Sequence, residues 1–339
     1  MIDIADGNAA DANVVVIGGA NIDVKCRTHN PAVMRTSNPG TAQTTLGGVG
    51  RNIAENLARL GITTRLISAV GGDASGDRLI AETGAARVNV TGVLRTEAAT
   101  GSYTAVFDPT GELVIAVACM DCMDALTAEV VVRSRDAIES ATVLILDCNV
   151  ARDALACAAR IAHDANVPII VDPVSGPKAE WLRALLELGI EVHTITPNAA
   201  ELAMLLQGDV SGDVSSDGAM ITAAEQLHSL GVRNVWIRLG ARGSYVSSAT
   251  DSGVHGERIP ARTVDADGVA HILGVVDVTG AGDAMLAGYV YAMLRGKRTI
   301  EAARYGQIAA AMTVASDQTV SALMSPVALR AHAAASRTT

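Results

Sequence analysis

The segment Asp277-Val-Thr-Gly-Ala-Gly-Asp283 decides how the rest of the chain is interpreted, because it joins two apolar runs of different character. The run before it, residues 272–276, has the length and composition of a buried strand, and the run after it, residues 284–294, is long enough for an apolar helix. The segment therefore predicts a glycine-rich turn from a strand into a helix.

A turn of this kind is suited to binding an anion. The first backbone N–H groups of a helix have no partner within the helix, and glycines allow a ligand to come close to them. The helix dipole also favours negative charge at that end. Asp283 is then unexpected, since a carboxylate beside an anion site is unfavourable unless it has a task such as accepting a proton. For an isolated turn, a first-turn aspartate that stabilises the helix dipole is the better explanation, so the rest of the chain has to decide.

The composition favours a buried parallel sheet flanked by alanine-rich helices. Hydrophobic residues make up 49% of the 339 positions, whereas aromatic residues make up only 2%. The net charge of −10 argues against nucleic acid or an anionic membrane surface as a partner, because both require a basic face. No charge-free apolar run reaches the roughly 18 residues of a membrane span, and the acidic N-terminus does not resemble a secretory signal. We therefore expect a cytoplasmic protein.

The order of predicted elements indicates one α/β domain with an insertion. Val14-Val-Val-Ile17 predicts the first core strand, and strand and helix patterns alternate again from residue 143 to residue 206. Between them, residues 102–108 and 112–118 alternate around a Pro-Thr-Gly turn and predict a β-hairpin that could form a lid. Residues 27–45 are expected to be loop or short irregular strands. A second hairpin is expected within residues 242–275, and a last helix over residues 300–315.

Polar residues follow several of the predicted core strands. Because the carboxyl ends of parallel strands meet at one edge of a sheet, these residues should line one ligand site. Each of them alone is more simply explained as a cap or turn residue. Together they predict a polar rim, with substrate groups early in the chain and phosphate groups late. The rim comprises Asn21, Asp23, Asp147, Asn149, Asp172, Asn198, Glu201, Gly240, Gly243 and the turn of residues 277–283.

Two longer motifs carry a resemblance to a known family. Gly47-Gly-Val-Gly-Arg-Asn-Ile-Ala-Glu-Asn56 and Asp277-Val-Thr-Gly-Ala-Gly-Asp283 strongly resemble the two signatures of the ribokinase-like (PfkB) carbohydrate and nucleoside kinases. The similarity extends from Val14 to about residue 320. It implies a three-layer α/β/α domain with a central, mostly parallel sheet and a small β-sheet lid. We expect a flexible leader at residues 1–12, a kinase domain at 13–325 with lid segments at about 22–46 and 96–122, and a C-terminal tail at 326–339.

The resemblance assigns roles to individual residues. Asp283 matches the general base, and Gly280, Ala281 and Gly282 match the anion hole. An aspartate of ordinary pKa, about 4, is ionised at neutral pH, so Asp283 requires no special tuning of its pKa to accept a proton. Expected substrate contacts are Asn21, Asp23, Gly48, Asn52, Asn149 and Asp172. Expected nucleotide contacts are Asn198, Arg238, Gly240, Gly243 and Thr279.

The resemblance also implies ATP and Mg²⁺ as cofactors. Glu201 matches the carboxylate near Mg²⁺, which is expected to act partly through water. Asp277 and Thr279 match positions beside a monovalent-cation site for K⁺. The partner is expected to be a small nucleoside or sugar, and the lid is expected to mediate a homodimer.

Three short sequence motifs narrow the range of expected substrates. Gly18-Gly-Ala-Asn-Ile-Asp-Val24, Asp147-Cys-Asn149 and Asp172-Pro-Val-Ser175 look most like the family members that phosphorylate the 5′-hydroxyl of pseudouridine. The segment 118–122 is less polar than expected for a lid over a uracil ring. A kinase for ribose, adenosine or another nucleoside therefore remains an alternative, as does a non-catalytic binding protein of the same fold. A dinucleotide-dependent oxidoreductase is disfavoured, because the loop after the first strand lacks the third glycine of that motif.

Overall fold

The computed structural model describes residues 12–206, 216–261 and 278–335. Within these residues a large sheet contains nine strands in the order β13-β12-β11-β10-β9-β8-β1-β4-β5. All neighbours from β5 to β11 pair in parallel, whereas β12 pairs antiparallel with both β11 and β13. A second sheet has four strands in the order β3-β2-β6-β7.

The strands are β1 Asn13–Ile17, β2 Asn21–Thr28, β3 Gly40–Gly47, β4 Thr63–Gly71, β5 Asn89–Thr96, β6 Ser102–Phe107, β7 Leu113–Cys119, β8 Val143–Asp147, β9 Ile169–Asp172, β10 Val192–Ile195, β11 Val232–Arg238, β12 Ser244–Thr250 and β13 Gly253–Ile259. The α-helices are α1 Val49–Arg59, α2 Ala74–Ala85, α3 Ala128–Val132, α4 Arg135–Glu139, α5 Arg152–Asp164, α6 Gly176–Glu187, α7 Ala199–Leu205, α8 Asp217–Ser229, α9 Ala281–Met293, α10 Thr299–Val314 and α11 Pro326–Ala335.

The central strands of the large sheet are buried on both faces, in agreement with the expected three-layer architecture. Side chains of β1 alternate between two hydrophobic cores: Val15 and Ile17 pack with helices α3 and α5 to α8, and Val14 and Val16 pack with α1 and α9 to α11. The period of two along an extended strand sends successive side chains to opposite faces. A strand covered on both sides therefore needs the continuous apolar run that the sequence has at this position.

The strand order reverses between β1 and β8, and this point is held together by one buried carboxylate. Asp147, at the end of β8, is fully buried and accepts hydrogen bonds from the backbone N–H groups of Gly19 (2.8 Å) and Gly50 (2.6 Å). Burial raises the pKa of Asp147 to about 6, although these bonds favour its ionised form. The carboxyl ends of β1 and β8 and the start of α1 thus meet at one place, where α/β sheets bind their ligands.

The small sheet differs in part from the sequence prediction. The expected hairpin is present as β6 and β7, which pair antiparallel. The expectation of loop or short irregular strands over residues 27–45 is wrong at its ends, because β2 and β3 form a regular antiparallel pair from residue 21 to residue 47. The polar composition of these strands concealed them, since a sheet with one exposed face needs few apolar residues.

Several other segments complete the comparison with the sequence. Helix α1 begins after Gly48 and ends before Gly61, whose φ of 78° suits glycine. Residues 326–335 form a helix that buries Leu329, and residues 336–339 lie outside the described residues. Residues 1–11 of the expected leader and residues 262–275 of the expected second hairpin also lie outside the described residues. The described part of that hairpin consists of strands β12 and β13, which pair antiparallel. Within the described ranges, no helix is long and apolar enough to cross a membrane.

Candidate active site

The turn into α9 has the geometry of an anion-binding helix terminus. Gly280 is the N-cap residue with φ of 79°, and a Cβ there would lie 2.0 Å from the carbonyl oxygen of Thr319. Only glycine fits this combination of left-handed backbone and close contact. The N–H of Ala281 already bonds the carbonyl of Val278 at 3.2 Å, so its expected place in the anion hole with Gly280 and Gly282 stays a prediction. Among the described contacts, the first-turn amides of Gly282 and Asp283 have no partner within the helix and can face a ligand.

Substitution of Gly280 by alanine is expected to displace this turn from Thr319. We expect kcat to fall by about tenfold or more, because the first-turn amides would move relative to the bound phosphates. Steady-state kinetics measures this effect. Gly218→Ala is the matched control: Gly218 lies in α8 with open space around its Cα and no positive φ. Equal kinetics for the two variants would contradict the role of the turn.

Asp283 lies in the first turn of α9 and is nearly buried, with 7% of its surface exposed. Its Oδ2 accepts a hydrogen bond from Asn52 Nδ2 at 2.8 Å. Burial raises the pKa of Asp283 to about 8, the bond from Asn52 and the charge of Arg238 act in the opposite direction, and Asp172 and Asp147 add to the increase. The expectation of an ordinary Asp283 pKa is therefore wrong, because the surrounding segments bury the carboxyl group.

Arg238, at the end of β11, places a positive charge against this turn, in addition to Lys25, which bonds Thr279. Its Nη1 lies 3.3 Å from Asp172 Oδ2 and its Nη2 lies 3.0 Å from Glu201 Oε2. A Cβ on Gly282 would lie 2.3 Å from Nη1, so the guanidinium lies directly against the glycine. Burial alone would lower the pKa of Arg238, but the carboxylates of Asp172, Glu201 and Asp283 together raise it. The guanidinium thus remains charged beside the proposed anion hole.

Asn198 and Glu201 begin helix α7 as a capping box. Asn198 Oδ1 accepts from the N–H of Glu201 at 2.9 Å, and Glu201 Oε2 accepts from the N–H of Asn198 at 2.8 Å. Burial raises the pKa of Glu201, partly offset by Arg238. Both oxygens of Glu201 already accept hydrogen bonds, but a carboxylate has further lone pairs. It can therefore accept a hydrogen bond from a water of hydrated Mg²⁺, which keeps several waters in proteins.

The expected acceptor-binding residues cluster where β2 leaves the core. Asn21 and Asp23 are both buried, and Asn21 Nδ2 donates to Asp23 Oδ1 at 2.6 Å. Gly47, paired with Asn21 across the small sheet, leaves no room for a side chain, since a Cβ would lie 2.3 Å from Asp23 Oδ2. Gly48 follows with φ of 96° and leads into α1, which carries Asn52. These residues therefore lie along one short path that ends at Asp283.

Asn149 and Asp172, also expected at the substrate, make contacts within the protein. Asn149 Oδ1 accepts from Lys178 Nζ, and the backbone N–H of Asn149 bonds Asp147 Oδ1 at 2.8 Å. Asp172 is buried, pairs with Arg238 and accepts from Thr196 Oγ1 at 3.0 Å. The geometry therefore places Asp172 with the phosphate-side residues rather than with Asp23, and its role as a substrate contact stays a prediction.

The remaining nucleotide-side positions are also located. Gly240 and Gly243 both have positive φ and form a tight turn after β11, closed by the hydrogen bond from Gly243 N–H to the Gly240 carbonyl at 3.0 Å. Thr279 Oγ1 accepts from Lys25 Nζ at 2.9 Å, which connects the lid strand β2 to the glycine-rich turn. Asp277 lies outside the described residues. Among those described, no group of three or more His, Cys, Asp or Glu side chains is arranged to hold a metal.

Sequence reasoning missed three charged residues of this region. Lys25 and Lys178 contact predicted site residues, and Arg51 contacts Asn52 at 2.9 Å. Arg51 stands inside the quoted motif of residues 47–56, immediately before Asn52, and that adjacency was an available signal. Lys25 and Lys178 stand in ordinary polar surroundings, and nothing in the sequence distinguishes them from surface lysines.

Comparison with known proteins agrees with this geometry. A family model described as pfkB family carbohydrate kinase matches residues 11–325. The chain is 37% identical over 307 residues to pseudouridine kinase of Escherichia coli strain K12, covering 90% of this chain and 91% of that protein. It is 28% identical over 311 residues to ribokinase of Haemophilus influenzae, covering 89% of this chain and 92% of that protein. A solved carbohydrate kinase from Agrobacterium tumefaciens has 31% identity and a TM-score of 0.76, covering 95% and 97%.

The family match spans the large sheet, the small sheet and the whole site described above, and the relatives are similar to this chain over most of their own length. The chain therefore belongs to the pfkB family of carbohydrate kinases, ATP-dependent phosphotransferases that act on an alcohol group of small sugars or nucleosides.

Proposed function

We propose that this protein phosphorylates the 5′-hydroxyl of pseudouridine to give pseudouridine 5′-phosphate, with ATP as donor. The observation that carries the kinase chemistry is the buried Asp283, which accepts a hydrogen bond from Asn52 at the start of α9, beside the guanidinium of Arg238. The assignment of pseudouridine as substrate rests on the 37% identity to a pseudouridine kinase and on the sequence motifs of residues 18–24 and 172–175.

In the proposed reaction, the 5′-oxygen of the acceptor attacks the γ-phosphorus of ATP. The new O–P bond forms as the bond to the β,γ-bridging oxygen breaks, ADP leaves, and the hydroxyl proton passes to Asp283. Asp23 and Asn52 would orient the ribose, whose hydroxyls match a carboxylate and an amide. The first-turn amides at Gly282 and Asp283, with Arg238, would stabilise charge on the transferring group.

Glu201 would hold Mg²⁺ through water, with Asn198 beside it, and the ion would neutralise phosphate charge. A K⁺ site at Thr279 and Asp277 remains part of the proposal. Activity measured with KCl, and again with a tetramethylammonium salt at equal ionic strength, tests the monovalent ion. A clear dependence on K⁺ is the expected result.

A homodimer through the lid is also proposed, as is a cytoplasmic location. Strand β7 ends the small sheet and exposes Leu113, Ile115 and Val117 at 51–53%. An exposed apolar strand edge favours pairing with another chain. Sedimentation of the wild type and of Ile115→Lys would distinguish the two states: the wild type is expected as a dimer, and the variant shifted towards monomer.

The acceptor is tested by ADP release with Mg-ATP against pseudouridine, uridine, adenosine, ribose and fructose 6-phosphate at equal concentrations. Strong preference for pseudouridine is the expected result. Preference for ribose would favour the alternative that the similarity to ribokinase supports, and would leave the role of Asp283 intact. No ADP release with any of these acceptors would favour a non-catalytic binding protein.

The pH dependence follows from the raised pKa of Asp283. Because a general base acts in its ionised form, kcat/KM is expected to fall about tenfold per pH unit below an acid limb near pH 8, the value to which burial raises this group. Initial rates from pH 6 to pH 10 with saturating Mg²⁺ measure the limb. A profile flat from pH 6 upward would contradict the raised pKa.

A further inference from the structure

Helix α1 carries a row of charged and amide side chains that is buried rather than exposed. Arg51, Asn52, Glu55 and Asn56 are each at most 5% exposed. Buried ionic groups are costly unless they are paired, so a row of this kind needs a function or a complete set of partners. Asn52 is accounted for by its bond to Asp283, whereas Arg51 and Glu55 have no part in the proposed reaction.

Arg51 is held in place by partners on several sides. Its Nη2 donates to Glu55 Oε2 one helical turn later, and its Nε donates to Thr83 Oγ1 of helix α2 at 3.3 Å. Its Nη1 donates to Asn52 Oδ1 at 2.9 Å and to the carbonyl of Leu46 at 3.4 Å. The planar guanidinium therefore has a fixed position and a fixed direction of donation.

This direction determines how the Asn52 amide is oriented. A guanidinium only donates, so the Asn52 atom that faces Arg51 has to be the oxygen. The Nδ2 group then has to face Asp283, where it donates at 2.8 Å. An amide without this constraint could rotate by half a turn and place its oxygen against the Asp283 carboxylate, which would repel it.

The orientation of the Asn52 amide affects the ionisation of Asp283, because the other neighbours of Asp283 shift its pKa in opposite directions. Burial disfavours the ionised carboxylate, as do Asp172 and Asp147, whereas Arg238 and the bond from Asn52 favour it. Around Arg51, the charged groups are Glu55, Arg59 and Glu82. The bond from Asn52 is thus the contact through which Arg51 can affect the base, without touching substrate.

We propose that Arg51, anchored by Glu55, is a positioning residue that fixes the Asn52 amide so that it donates to the Asp283 carboxylate. This inference rests on the proposed function, in which Asp283 accepts the proton from the acceptor hydroxyl.

The test is the pH dependence of kcat/KM in Arg51→Met. The acid limb is expected to move to higher pH by about half a unit or more, and kcat at pH 7 is expected to fall about tenfold, as for other residues that orient a catalytic group. KM for ATP should change little, since Arg51 bonds Leu46, Asn52, Glu55 and Thr83, none of which belongs to the glycine-rich turn. A purely structural role would lower thermal stability and leave the limb in place.

Arg59→Gln is the matched control. Arg59 lies on the same helix as Arg51, and both residues line a cavity of about 510 Å³. The described hydrogen bond of Arg59 goes to Glu55, at 2.8 Å, and not to Asn52. Its acid limb should coincide with that of the wild type. A shift of equal size in Arg59→Gln would overturn the proposal, because it would show that loss of charge near Glu55 is sufficient.

The possible results separate this inference from the proposed function. A wild-type protein inactive on every acceptor, or an Asp283→Asn variant with normal turnover, would refute the base and with it the role of Arg51. An active wild type whose limb is unchanged in folded Arg51→Met would refute the role of Arg51 alone. If Arg51→Met does not fold, Arg51→Gln decides: its shorter, neutral side chain lacks the guanidinium that donates to Asn52 Oδ1, and an unshifted limb there refutes the proposal.

Discussion

Asp283→Asn is expected to lower kcat by at least about 100-fold, the range typical of a lost general base, while KM for the acceptor changes little. The carboxylate is nearly buried at the start of α9, and an amide of the same size can remain next to Asn52 but cannot accept a proton at neutral pH. Steady-state kinetics together with calorimetric titration of the acceptor separates turnover from binding. Near-normal turnover would refute Asp283 as the base.

The same variant should also alter stability in a pH-dependent way. The pKa of Asp283 rises from its ordinary value of 3.8 in the unfolded chain to about 8 in the folded protein, so the native state binds more protons than the unfolded state between these values. The contribution of Asp283 to the free energy of unfolding is therefore present below the lower value and is lost as pH rises through the upper one. Asp283→Asn should gain stability relative to wild type across this window, which urea denaturation at pH 5 and pH 9 measures.

Arg238→Met is expected to impair both catalysis and folding. It would leave Asp172 and Glu201, each 2% exposed, without their shared cation, and breaking a buried pair of this kind typically costs about 3–5 kcal/mol. Loss of the guanidinium beside Gly282 should also lower kcat by about 100-fold, as for other groups that stabilise a transferring phosphoryl group.

Arg242→Gln provides the control for Arg238→Met. Arg242 is exposed and lies in the same turn, four residues later. Its substitution should leave the free energy of unfolding and kcat close to those of wild type, since exposed charges contribute little to stability. If both variants behaved alike in kinetics and urea denaturation, Arg238 would have no special role at the phosphates.

The core of the fold and much of the site could be predicted because their signals are local in sequence. Residues 14–17 read as a buried strand, and Gly280 to Asp283 occupy consecutive positions of one turn. The capping pair Asn198 and Glu201 is likewise separated by one helical turn. Spacing within one turn or one strand was enough to predict these elements, although the contact between the adjacent residues Arg51 and Asn52 was missed.

Other features depend on segments that meet only in the folded chain. The pKa of Asp283 is raised by burial under several elements, and no window of sequence around residue 283 contains that information. Asp172 was expected with the substrate groups but pairs with Arg238, because β9 and β11 flank β10 in the sheet. The regular antiparallel pairing of β2 with β3 was not predicted within the expected lid segment, because β3 is largely polar and exposed.

The hydrogen bond between Asn52 and Asp283 joins residues 231 positions apart. A contact of this separation closes late, after the strands between its ends have paired. During synthesis from the N-terminus, a nascent chain can complete β1 to β11 and the whole lid while α9 is still inside the ribosome. Under the proposed function, such a chain would have the acceptor side of the site but neither the base nor the anion hole, so we expect phosphate transfer to begin only after α9 has left the ribosome.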